Sequence, residues 1–106
     1  LIGATVRIMT TTTQRLASVG TKIDAALDAV TTDNGASPVL VAVVREFALK
    51  ATKAVAAADE RDAVIELEQA GDSAKAAVEA DTGVGEAARH AVLDAHLAIC
   101  IAKSKL

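Results

Sequence analysis

Apolar residues recur along this chain at alternating spacings of three and four, the signature of helices that each bury one face. The clearest run lies within residues 37–58, where Leu40, Val44, Phe47, Ala51, Ala54 and Ala58 form one continuous seam. Ser37 is placed to cap that helix, and Pro38 suits its first turn, where a missing N–H breaks no bond. Residues 39–44 are apolar on every face, which predicts a stretch covered on all sides, inside a bundle or at a subunit contact. Upstream, Leu16, Val19, Ile23, Ala26 and Val30 make an earlier seam, widened by Leu27. Thr11 and Gln14 stand at capping-box spacing before it. Asp33-Asn34-Gly35 should close it, since Asn and Gly tolerate the left-handed conformation that ends many helices.

After Ala58 the seam changes phase. Continuing its register would bring Arg61 or Asp62, Ile65, Glu68 and Asp72, mostly polar, to the core face, whereas the apolar set is Val64, Leu67, Gly71, Ala74 and Val78. A break is therefore expected, with Asp59 capping a new helix. Thr82-Gly83-Val84-Gly85 reads as the next turn. The last helix carries an alanine stripe (Ala88, Ala91, Ala95, Ala98, Ala102), and Val92, Leu93, Leu97, Ile99 and Ile101 spread apolar surface beyond it. The expected fold is all-α: an Ala-rich, antiparallel up-down-up-down four-helix bundle, with helices near 13–30, 38–58, 60–80 and 85–103. Residues 11–106 form one domain, and residues 1–10 read as an N-terminal arm, native or upstream of the protein proper. Ile2, Ala4, Val6 and Ile8 in that arm alternate like a strand, which supplies an α+β alternative. No internal repeat is evident. Gly20 and Gly71 fall in mid-helix at a cost of roughly 1 kcal/mol each against Ala, and predict close backbone approaches by neighbouring helices.

Composition sharpens this picture. The chain is 52% hydrophobic but 1% aromatic, with Phe47 its one aromatic residue, so much of the core is alanine and depends on close helix packing. A formal charge of -3 argues against a general nucleic-acid binder, as does the lack of an aromatic stacking surface. No apolar run approaches the ~18 residues of a membrane span. Residues 38–58 carry Arg45, Lys50 and Lys53 against Glu46, while residues 59–81 are strongly acidic, which suits neighbouring helices with complementary faces or ordinary solvated ones. The lone Cys100 excludes an intrachain disulfide and leaves the redox compartment open, with the cytoplasm slightly favoured.

Candidate chemistry is sparse. Glu86, His90 and Asp94 share one helical face at i, i+4 and i+8, a geometry for weak metal binding or proton transfer, but also for ordinary i,i+4 pairs in water. The Glu-x-x-His pairs of di-metal bundles are missing, since Arg89 stands three residues after Glu86. His96, among Val92, Leu93, Ile99 and Cys100, is expected to bond a carbonyl or an acid on a neighbouring helix. Neither histidine is followed by the Lys and small residue of phosphorelay transfer domains. Gly83-Val84-Gly85 lacks the strand and the Lys-Ser/Thr of a phosphate loop. No cofactor and no metal site is expected. The expected role is non-catalytic: an oligomerisation or protein-interaction module, forming a homo-oligomer or docking a partner helix. Its contact residues are expected among Val39, Val43, Val92, Leu97 and Ile101, where apolar surface exceeds what a small bundle needs. The alternatives are a carrier of a small apolar ligand between helices and, behind it, a metal-dependent enzyme or phosphoacceptor using His90.

Overall fold

The computed structural model describes residues 12–105, which form four helices: α1 (Thr12–Thr32), α2 (Pro38–Ala56), α3 (Glu60–Ala80) and α4 (Glu86–Ser104). The strand-like arm and the Thr11 cap lie outside the described residues. The main contacts run in a ring, α1 with α2, α2 with α3, α3 with α4 and α4 with α1, which makes a four-helix bundle around one core. The seams of α1, α2 and α3 are buried as their periodicity predicts, from Leu16 to Val30, Leu40 to Ala54 and Val64 to Val78, except that Ala58 lies beyond the end of α2 and is exposed. In α4 the buried face is Ala88, Val92, Ala95, Ile99 and Ala102, so Val92 and Ile99 displace Ala91 and Ala98 from the expected stripe. Bulk decides the rotation: turning the two β-branched residues inward buries more apolar area than two alanines.

The helices end and begin where the sequence places them, including the turn at 82–85 between α3 and α4. Ser37 Oγ accepts from the Leu40 N–H at 3.2 Å, with Pro38 as the first helical residue. Asp59 Oδ1 accepts from the Asp62 N–H at 3.1 Å, so the chain does break between α2 and α3. α1 ends at Asp33-Asn34-Gly35 as expected, but not through a left-handed residue, because no described residue has positive φ. Asp33 and Gly35 serve another purpose there. Asp33 Oδ1 accepts from the Gly35 N–H at 2.8 Å, and its Oδ2 accepts from the Gly85 N–H, in the other loop, at 2.9 Å. Asp81 answers in kind: Oδ1 accepts from the N–H of Gly83 at 2.9 Å, and Oδ2 from that of Ser37 at 2.8 Å. Each aspartate thus ties its own turn and clasps the residue that begins the helix after the opposite turn. A Cβ on Gly35 would collide with the Gly83 carbonyl, and one on Gly83 would lie 2.6 Å from the Gly35 carbonyl oxygen. These two glycines are required for loop contact.

The reciprocity has a wider basis, because the molecule is an internal repeat that reading the sequence did not reveal. Shifting by 48 residues carries α1 onto α3 and α2 onto α4, end for end, at 21 and 19 residues respectively. Buried positions coincide: Leu16 with Val64, Val30 with Val78, Leu40 with Ala88, Val44 with Val92, Ala54 with Ala102. Bulk is exchanged between the halves in the middle layer. Gly71 packs under Phe47 and Ile99, so that a Cβ there would lie 3.1 Å from Phe47 Cζ and 3.2 Å from Ile99 Cγ2. At the corresponding positions the first half carries Ile23, and Ala95 and Ala51 replace Phe47 and Ile99. Gly71 therefore makes room for two large side chains, and not for the backbone of a neighbouring helix as expected. Gly20 marks no close approach, since a Cβ there would meet nothing within 4 Å.

Candidate interaction site

The residues singled out for contact divide into three groups. Val92 is fully buried in the core and presents no surface to a partner. Val39 is 69% exposed near the start of α2, and Val43 is half-buried against the core. Within the single bundle, residues 39–44 are not covered on all sides, for Val39 and Ala42 are exposed. Leu97 and Ile101, one turn apart on α4, are 55% and 49% exposed and lie together.

These two line a surface groove of about 440 Å³ between α1 and α4. Val19 from α1 and Ala98 and Ala102 from α4 complete its apolar lining. The hydrophobic face of each helix points to the core, so the groove arises where α4 has apolar residues on a second face and α1 offers small ones, such as Ser18, opposite. Its charged lining is unequal: Arg15, Lys22 and Lys105 against Asp94. Lys22 Nζ lies 3.1 Å from Asp94 Oδ2, which ties the two helices and uses up the acid. Arg15 and Lys105 have no ion-pair partner among the described residues. Arg15 and Lys22 escaped the sequence reading, although Arg15, Ser18 or Val19, and Lys22 share a face by their spacing, and Lys105 reads from the sequence only as a cation at a helix C-terminus.

The candidate catalytic face is not assembled. Asp94 is held by Lys22, Glu86 lies 3.7 Å from Arg89, and His90 is exposed. Among the described residues no group of three or more His, Cys, Asp and Glu could hold a metal ion. Arg89 is occupied structurally, donating to the carbonyls of Val78 at 3.0 Å and Asp81 at 3.1 Å, where it closes the C-terminus of α3. His96 meets Asp72 on α3, Nε2 to Oδ1 at 2.8 Å, the expected kind of acid partner. Cys100 Sγ approaches the same ring nitrogen at 3.6 Å. A nucleophile–base–acid relay needs the two nitrogens of the ring to serve different partners, and here both contacts fall on one. Burial, and then the charges of Glu68 and Asp72, push the Cys100 thiol up, away from the reactive thiolate. Lys103 Nζ lies 2.7 Å from Glu68 Oε1 on the same helix pair, and that bond raises the lysine above its usual range.

Comparison of the chain with known protein families, curated proteins and solved structures gives no match. No described helix is long and apolar enough to cross a membrane.

Proposed function

We propose that this protein is a non-catalytic interaction module that docks a partner helix in the groove between α1 and α4. The observation that carries the reading is the pair Leu97 and Ile101, each about half exposed and lining a groove rather than scattered over the surface. A groove between two helices accepts a third by the same ridge-into-groove packing that holds the bundle together. Its span suits two to three turns: Leu97 to Lys105 covers about 12 Å of helix at ~1.5 Å per residue. Self-association through this face is the weaker form of the idea. A two-fold contact would set Arg15, Lys22 and Lys105 of one copy against the same three of the other, with one aspartate on each side to offset them.

The test uses a synthetic helical peptide of about four turns, with leucines at i, i+4, i+7 and i+11 and otherwise neutral residues. Saturable changes in the NMR signals of Val19, Leu97, Ala98 and Ile101, abolished in Leu97→Ser/Ile101→Ser, are the expected result. An unperturbed groove at saturating peptide would overturn the reading.

A further inference from the structure

The internal repeat provides a built-in control for the groove, because the same backbone plan recurs between α3 and α2. At positions 48 residues away, the lining changes character. Arg15 corresponds to Ala63, Lys22 to Ala70 and Lys105 to Ala57, while Ala98 and Ile101 correspond to Lys50 and Lys53. Leu97 keeps its counterpart, Leu49, which is also about half exposed. The α1/α4 groove therefore combines an apolar lining with a cationic border, whereas the corresponding α2/α3 positions carry lysines in place of Ala98 and Ile101, Glu66 in place of Ser18 and alanines in place of the three cations. Two copies of one scaffold differ here in the features that select a ligand. The cationic border also runs against the net charge of the chain, which is -3.

We propose that the occupant of the α1/α4 groove is an acidic amphipathic helix of another protein. Its apolar stripe seats on Leu97, Ala98 and Ile101, and its flanking carboxylates meet Arg15 and Lys105, with Lys22 shared between the partner and Asp94. This proposal rests on the docking reading above and specifies the partner's charge. A second copy of this chain does not supply such a helix. Its acidic helix, α3, already buries its apolar face through Val64, Leu67, Ala74 and Val78. An anionic amphiphile fits less well, since small-molecule sites enclose most of their ligand and this groove is open along its length. A helix covers an open groove and brings its own second wall.

The experiment compares two versions of the leucine-striped peptide, one flanked by glutamates and one by lysines, with decanoate as a third probe. Because the chain has no Trp or Tyr, a tryptophan in the peptide reports binding by anisotropy without background from the protein. The glutamate peptide is expected to bind about ten-fold tighter or better at low salt, with the gap narrowing as salt rises. In Arg15→Glu/Lys105→Glu, checked for unchanged helicity by circular dichroism, the order of the two peptides should reverse. Equal binding of both peptides would overturn the acidic-partner proposal and leave the docking reading standing. Binding of neither would overturn both. Decanoate perturbing Leu97 and Ile101 while neither peptide binds would replace both with a ligand carrier.

Discussion

Two glycines in similar helical settings have opposite roles. Gly71 lies beneath Phe47 and Ile99, where even a Cβ would press on both side chains, whereas Gly20 faces open space. Gly71→Leu is expected to lower stability by about 1–3 kcal/mol through overpacking. Gly20→Ala should raise it by about 0.5–1 kcal/mol, because alanine restricts the unfolded chain and nothing opposes its methyl. Urea melts of the two variants check both signs, and a stabilised Gly71→Leu would contradict the packing described. At this scale the sequence was readable in part. A glycine in mid-helix announces a cost, but which neighbour justifies it depends on a residue far along the chain. Val92 shows the same limit: α4 is apolar around much of its circumference, and only the packing of the other helices selects Val92 and Ile99 for the core and leaves Leu97 and Ile101 outside.

Among the elements, the loops at 33–37 and 81–85 carry the least expected chemistry. The backbone N–H of Ser37 above all, helped by those of Gly83 and Val84, holds the Asp81 carboxyl below the usual carboxylate range, against the opposing pull of partial burial. With the folded value depressed, the unfolded chain binds more protons in acid, so stability rises with pH through that window. The contribution of Asp81 is complete above its unfolded value near ~3.9 and is lost as pH falls through the lower folded one. Asp81→Asn should therefore be less stable than wild type at pH 7, with the gap closing in strong acid. Unfolding followed from neutral pH to pH 2 measures it, and a gap constant with pH would assign the role of Asp81 to shape alone. The helices themselves were legible because each seam obeys one period and Ser37 and Asp59 are caps by chemistry. The clasp was not, since Asp33 and Gly85 are brought together only by the fold.

At the scale of the whole molecule, the repeat explains why so regular a design escaped notice. Corresponding residues agree at a few places, such as Asp33 with Asp81, Gly35 with Gly83 and Val30 with Val78. In the central layer Ile23 answers to Gly71, Phe47 to Ala95 and Ala51 to Ile99, so that large and small change places and local resemblance is erased. The groove was half legible: Leu97 and Ile101 stood out as surplus, but its cationic border belongs to another helix. A two-fold plan of this kind also means that the chain has no privileged starting point. The joint at 57–59 carries α2 into α3 in three residues, and by the repeat the gap from the end of α4 to the start of α1 is its equivalent. A circular permutant that begins at Asp59, passes from Lys105 to Thr12 through a short flexible linker and ends at Ala58 should fold to the same bundle. Its helicity and cooperative melt should match the parent's, and an unfolded or molten permutant would mean that the order of synthesis, not only the set of contacts, is written into the molecule.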